Sequence, residues 1–277
     1  MLRRAAVVVG VTALAGGAAC LDGGAPPPAT GWAPLVTVPW SLAPGTQDPA
    51  VHATVTPDDL AIGGLRILAP AGTHDVRVTV DDPGLTAASF LFAAVVGDPP
   101  VEFPPGVALR LPAGHALDLE LHVFNVTDAP LAGTSGVEAR LLDPAEITAE
   151  VGVVIVGART LRVPPGISTA TSSCTVTAAM TVLGVYPYLR QHGRRATVTV
   201  TTGGADHVLY DQPYDTDHQG LVAVAPLAVA PGDTITTTCV WDNSTATTLG
   251  YGEGPDGEVC HALVLAAPVV GRTWCER

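Results

Sequence analysis

Cysteine supplies the first chemistry in this chain. Cys174, Cys239, Cys260 and Cys275 all fall in its second half. An even set of thiols outside a reducing compartment can close two disulfides, and three pairings are open to four cysteines. A second patch is the acidic run Asp211-Gln212-Pro213-Tyr214-Asp215-Thr216-Asp217-His218. Its carboxylates could hold Ca²⁺, but it lacks the glycine and the closing glutamate of a calcium-binding hand, so an exposed turn is expected. Asn125-Val126-Thr127 and Asn243-Ser244-Thr245 have the form of glycosylation sequons, and both are expected to stay bare. Arg194-Arg195 reads as a solvated basic turn rather than an anion site. The sequence contains no phosphate loop, no nucleophile elbow and no His-Glu-x-x-His zinc motif.

A fifth cysteine has a different setting. Met1-Leu2-Arg3-Arg4 is a positive start, Ala5 to Gly17 is an apolar run too short to span a membrane comfortably, and small residues lead into Cys20. Residues 1–20 are therefore expected to be an export signal of lipoprotein type, with Cys20 lipidated and holding the chain to a membrane. Gly17 departs from the leucine usual at that place in a lipobox. Residues 21–34, rich in glycine and proline around Pro26-Pro27-Pro28, read as a tether that lifts a folded part off the surface. The expected location is the cell envelope.

The remainder must position whatever chemistry there is. With 277 residues, 47% hydrophobic and only 14% charged, the chain can build a substantial core. The net charge is -13, every basic residue is arginine, and no basic stripe is present, which argues against a nucleic-acid partner. Val76, Val78 and Val80 alternate with polar residues, as do Leu117, Leu119, Leu121 and Val123, and again Val198 and Val200. Period two over short runs is the signal of half-buried strands, and 30 glycines with 25 prolines suit many tight turns. The expected fold is all-β: two antiparallel, jelly-roll-like β-sandwich domains in tandem, at 35–158 and 159–277. Pro112-Ala113-Gly114 opens a strand in the first, and Pro231-Gly232-Asp233 opens one in the second.

The second half carries the sharpest pattern. Gly232-Asp233-Thr234-Ile235, running through Cys239-Val240-Trp241-Asp242-Asn243-Ser244, is followed by Glu258-Val259-Cys260. This resembles the C-terminal domain of the copper type II, ascorbate-dependent monooxygenases, the family of peptidylglycine α-hydroxylating and dopamine β-monooxygenases. The resemblance extends over about Leu35 to Cys275. It implies disulfides Cys239–Cys260 and Cys174–Cys275, and two sandwiches facing each other across a cleft. It also implies one copper on each domain. The second-domain copper is held by two His and a Met and binds oxygen and substrate. The first-domain copper is held by a His-His pair and a third His and relays electrons.

At the implied ligand positions this chain departs from the family. Aligning Pro187 and Gly193 places Tyr188 and Arg190 where two histidines belong, and aligning Cys260 places Val259 where methionine belongs. Valine has no lone pair, arginine stays protonated, and tyrosine ionises only near pH 10. Catalytic copper is not expected there. A relocated site using His192 and His261 is an alternative. In the first domain, Gly72-Thr73-His74-Asp75 resembles the segment of the His-His pair, and Leu121-His122-Val123 that of the third His. The surviving set is His74, Asp75 and His122, a two-His, one-carboxylate trio better suited to Fe(II), Zn or Mn than to a copper relay. His74 and Asp75 would point to opposite faces of a regular strand, so joint ligation requires a bulge or a strand end. Arg190 is expected either to pair with Glu258 or to accept an anion.

The resulting expectation is a monooxygenase-fold lipoprotein without a catalytic copper site, acting as a binding or structural envelope protein. No cofactor is expected. The alternative is an oxidoreductase that uses copper or another divalent metal at a relocated or first-domain site.

Overall fold

A computed structural model describes residues 31–55, 59–80, 90–157, 159–216, 219–252, 257–269 and 272–275. Cys20, the export signal and most of the tether lie outside the described residues, as do Asp217 and His218. The first half supplies β1 (Trp32–Leu42), β2 (Gln47–Val55), β3 (Leu60–Leu68), β4 (Thr73–Val80), β5 (Phe90–Val95), β6 (Val101–Glu102), β7 (Val107–Leu111), β8 (Leu117–Phe124) and β9 (Leu131–Leu141). The second supplies β10 (Ala149–Gly157), β11 (Arg162–Val163), β12 (Gly166–Thr175), β13 (Met180–Tyr188), β14 (Gly193–Thr202), β15 (Ala205–Pro213) and β16 (Val222–Val229). It continues with β17 (Thr234–Asn243), β18 (Leu249–Tyr251), β19 (Gly257–Glu258), β20 (His261–Ala267) and β21 (Arg272–Cys275). A single 3-10 turn at Pro144–Glu146 is the one helical element among the described residues. The all-β expectation holds.

The two halves repeat one connectivity. In the first, sheets of order β1-β9-β3-β7 and β2-β8-β4-β5 enclose a core. In the second, β10-β20-β13-β16 and β12-β17-β14-β15 do the same. Each buried strand face follows the alternation in the sequence: Leu117, Leu119, Leu121 and Val123 are buried, and the residues between them are not. The rhyme of Pro112-Ala113-Gly114 with Pro231-Gly232-Asp233 is structural. Gly114 and Gly232 both take positive φ, and the strands that follow, β8 and β17, hold equivalent places.

The sequons are part of the same repeat. Asn125 donates from Nδ2 to Leu42 O and Ala129 O, while its Oδ1 accepts from Thr127 N and Thr127 Oγ1. Asn243 donates to Val163 O and Thr247 O and accepts from Thr245 N and Oγ1. Both asparagines are buried. Their amides are occupied in holding a turn, which leaves no amide nitrogen for a glycan in the folded chain.

The halves are tightly joined. β10 pairs parallel with β7 on one edge (Ala149↔Val107 to Val151↔Leu109) and antiparallel with β20 on the other. The boundary read at 158/159 follows directly after this shared strand. Tyr186 of β13 stacks on Phe90 of β5, ring centroids 3.9 Å apart, and its hydroxyl donates to Gln219 Oε1 at 2.6 Å. Leu221 N donates to Ala93 O at 3.0 Å, from one half to the edge strand of the other. Tyr186, Leu183, Leu263 and Leu265 share one apolar cluster with Phe90, Val101 and Phe103. The disulfides Cys174–Cys275 and Cys239–Cys260 are present as the resemblance implied. The first ties β12 to β21, and the second anchors β17 beside buried Trp241 and Leu189.

Candidate functional site

β4 and β8 are neighbours, and Asp75 lies opposite His122. The register slips between Thr73, opposite Val123, and Asp75, opposite His122. His74 is thus the extra residue of a β-bulge at the start of β4. This is the local distortion that adjacent ligands require, and it brings His74 and Asp75 to one place. His74 Nδ1 lies 2.5 Å and His122 Nδ1 3.0 Å from Asp75 Oδ2, and one ligating atom from each residue falls within 4.8 Å of the others. The three side chains are half-buried. His122 Nε2 is 3.7 Å from Glu120 Oε1, and the other oxygen of Glu120 accepts a hydrogen bond from Arg77. Phe124 packs against the His74 ring at 4.9 Å.

Tyrosines of the second half approach this face. Burial opposes the charge of Arg77, but Glu120, Tyr186 and Tyr188 favour it, and its pKa sits above the ordinary arginine value. Burial also pushes the Tyr186 phenol well above the usual tyrosine value. The trio offers two imidazole nitrogens and a carboxylate oxygen, and this donor set fits a borderline divalent cation. It is the one group of three or more such ligands among the described residues, and neither His192 nor His261 belongs to one.

Tyr188 ends β13 opposite His261 and packs against the apolar cluster shared by the two halves, 6.2 Å from the Tyr186 ring. Val259 is buried. Arg190 does meet Glu258, but through its backbone: its N–H donates to Glu258 Oε2 at 3.1 Å. This corrects the expected guanidinium–carboxylate pair. His192 N donates to Glu258 Oε1 at 2.9 Å and Trp241 Nε1 to Oε2 at 3.0 Å. Glu258 has no exposed surface, and its carboxylate is taken up by three N–H groups of the strand junction. The Arg190 Nε is buried without a hydrogen-bond partner among the described residues. His261 packs between Tyr251 and Trp274, at 5.6 and 5.0 Å.

The acidic run is also differently employed. Asp211 lies on β15 and accepts from Arg195 and Thr197 at 2.7 to 2.9 Å. Those bonds, Arg195 first and Thr197 next, hold its carboxyl below the usual range. The basic pair is thus not a simple turn, since Arg195 lies within β14 and is ion-paired.

The resemblance implied a cleft between two sandwiches, and a pocket of about 410 Å³ is present at that junction. Val95 and Asp98 bound it from the first half, and Pro187, Tyr210, Tyr214 and Gln219 from the second. The strand that bounds it is a neighbour of the trio's strand: Asp75 pairs with Val95, and Val96 N donates to His74 O. No periodicity could reveal a pocket whose lining comes from separate strands of two domains.

The described residues define a tandem β-sandwich protein with a His-Asp-His cluster on one sheet and an apolar pocket at the domain junction. Residues 149–277 match the family described as copper type II ascorbate-dependent monooxygenase, C-terminal domain, which supports the resemblance read from the second half. No curated protein matches the chain.

Proposed function

We propose that this is an exported, membrane-anchored member of the monooxygenase family that binds rather than hydroxylates. The observation that carries the reading is the residue set at the second-domain copper positions. Val259 is buried and has no donor, and Arg190 brings a permanent positive charge. Tyr188 belongs to the packing between the halves. Oxygen activation through copper at these positions has no ligand to rest on. The N-terminal sequence and Cys20 support anchoring of bacterial lipoprotein type, and two disulfides accord with an oxidising compartment. Incubation with copper, ascorbate, and a peptide or amine substrate is expected to give no hydroxylated product. Turnover above a no-protein control would overturn the reading. Cys20→Ala is expected to release the chain from the membrane fraction.

A second reading has its own support in the His74–Asp75–His122 cluster. These residues would hold one divalent ion, with Zn, Fe(II) or Mn preferred over a copper relay because a carboxylate replaces an imidazole. Zinc titration by calorimetry is expected to give one site that His122→Ala removes. An unchanged titration in that variant would refute it.

A further inference from the structure

We propose that the pocket between the halves binds a small organic ammonium ion, an inference that rests on the binding role above and specifies its ligand. The pocket, at about 410 Å³, is of the size that small-molecule sites occupy, and it sits at a domain junction where such sites concentrate. Among the described residues, Asp98 is the one charged side chain that lines it, and no arginine does. Tyr210 and Tyr214 supply aromatic rings. The Tyr214 hydroxyl is held by the Leu189 backbone, donating to its O at 2.6 Å and accepting from its N at 3.0 Å, so the buried ring is fixed in place. Val96 and Val222 also line the pocket, one from each half, and are 52% and 38% exposed. Exposed apolar side chains gathered at one opening mark a surface that gains by being covered.

The carboxylate is positioned rather than loose. Asp98 Oδ2 accepts from Val95 N at 2.8 Å, within the turn that ends β5. Across the junction it lies against Gly220, where a Cβ would come within 2.7 Å of Asp98 Oδ2. Any side chain at 220 would displace the carboxylate, so the glycine lets the acid of one half reach the backbone of the other. A carboxylate beside aromatic rings, with aliphatic walls around them, attracts a cation that carries alkyl groups. An anionic ligand meets Asp98 and a chain of net charge -13. A neutral ligand of the same shape would cover the carboxylate without compensating its lost water.

The test is a titration followed by nuclear magnetic resonance, with choline and with 3,3-dimethylbutan-1-ol, which has the same shape without the charge. Choline is expected to bind about tenfold more tightly than the alcohol. Asp98→Asn should abolish that difference with the unfolding midpoint unchanged. Gly220→Ala, which keeps the carboxylate but moves it, should weaken choline several-fold. Equal binding of the two compounds, or choline binding indifferent to Asp98→Asn, overturns the ammonium class while leaving a binding role intact. Saturable binding by neither overturns the pocket as a ligand site. The non-hydroxylating reading falls only to the separate turnover assay.

Discussion

The sheets β2-β8-β4-β5 and β12-β17-β14-β15 are one design used twice with different chemistry on the outer face. Each has a register slip at the start of its third strand, at Thr73/Asp75 in one and Gly193/Arg195 in the other. Each is followed by the same asparagine-held turn. The first half places His74, Asp75 and His122 at the slip, and the second places Arg194, Arg195 and Val240 there. Beyond the slip the contrast widens. Asp118, Glu120 and Arg77 face outward on the first sheet. On the second, Thr171, Thr238 and Thr197 form one row, Ser173, Thr236 and Thr199 the next, and Thr175, Thr234 and Thr201 a third. Buried alternation, bulge and turn are kept because the fold depends on them. The outward positions are free to change because the core does not depend on them.

The comparison can be broken or sharpened by substitution. The largest effect is expected from the disulfides, which occur in the second half alone. Replacing Cys174 and Cys275 by serine should cost about 4 to 5 kcal/mol, and replacing Cys239 and Cys260 about 3 kcal/mol, measured by chemical denaturation under oxidising conditions. At the place of Cys239 the first half has buried Leu121, so that half relies on packing alone. Glu258→Ala comes next, at about 3 kcal/mol, because the N–H groups of Arg190, His192 and Trp241 lose their acceptor. Among the described residues the first half has no such clamp.

Asn125→Ala and Asn243→Ala should each cost about 2 kcal/mol, and the two values should agree, since the hydrogen-bond sets match atom for atom. A large inequality would mean that the repeated turn bears weight in only one half. Tyr186→Phe is smaller, about 1 kcal/mol, from the bond to Gln219. It also carries a pH signature. Burial raises the folded-state pKa of Tyr186, so its contribution is complete below the unfolded tyrosine value of about 10 and is lost as pH rises beyond that. Tyr186→Phe should therefore flatten the alkaline limb of the stability curve. Thr171→Val should change stability by less than about 0.5 kcal/mol, as Thr171 is exposed and its hydroxyl bonds only to Thr238 across the outer face.

Much of the frame was legible in the sequence because it is local. Alternation placed β4, β8 and β14, and the paired Pro/Gly turns placed the starts of β8 and β17. The cysteine pairing and the His74–Asp75–His122 set came through resemblance, and the bulge they needed is present. What could not be read is non-local. The carboxylate of Glu258 serves three donors from β17 and the β13–β14 turn, a role that no spacing encodes. Tyr186 on Phe90, and Asp98 against Gly220, join residues far apart in the chain. The sequons were expected to stay bare, but their turn-holding role was not legible, because an Asn-x-Thr triplet that holds a turn and one that accepts a glycan are written identically.

The central claim is that the two halves, alike in frame, have parted in metal chemistry. Elemental analysis of the mature chain after incubation with copper, zinc, iron or manganese and desalting tests this most directly. The account predicts no more than one ion per chain, and none in His122→Ala. Two ions per chain, or an ion that survives His122→Ala, would place metal in the second half and contradict it.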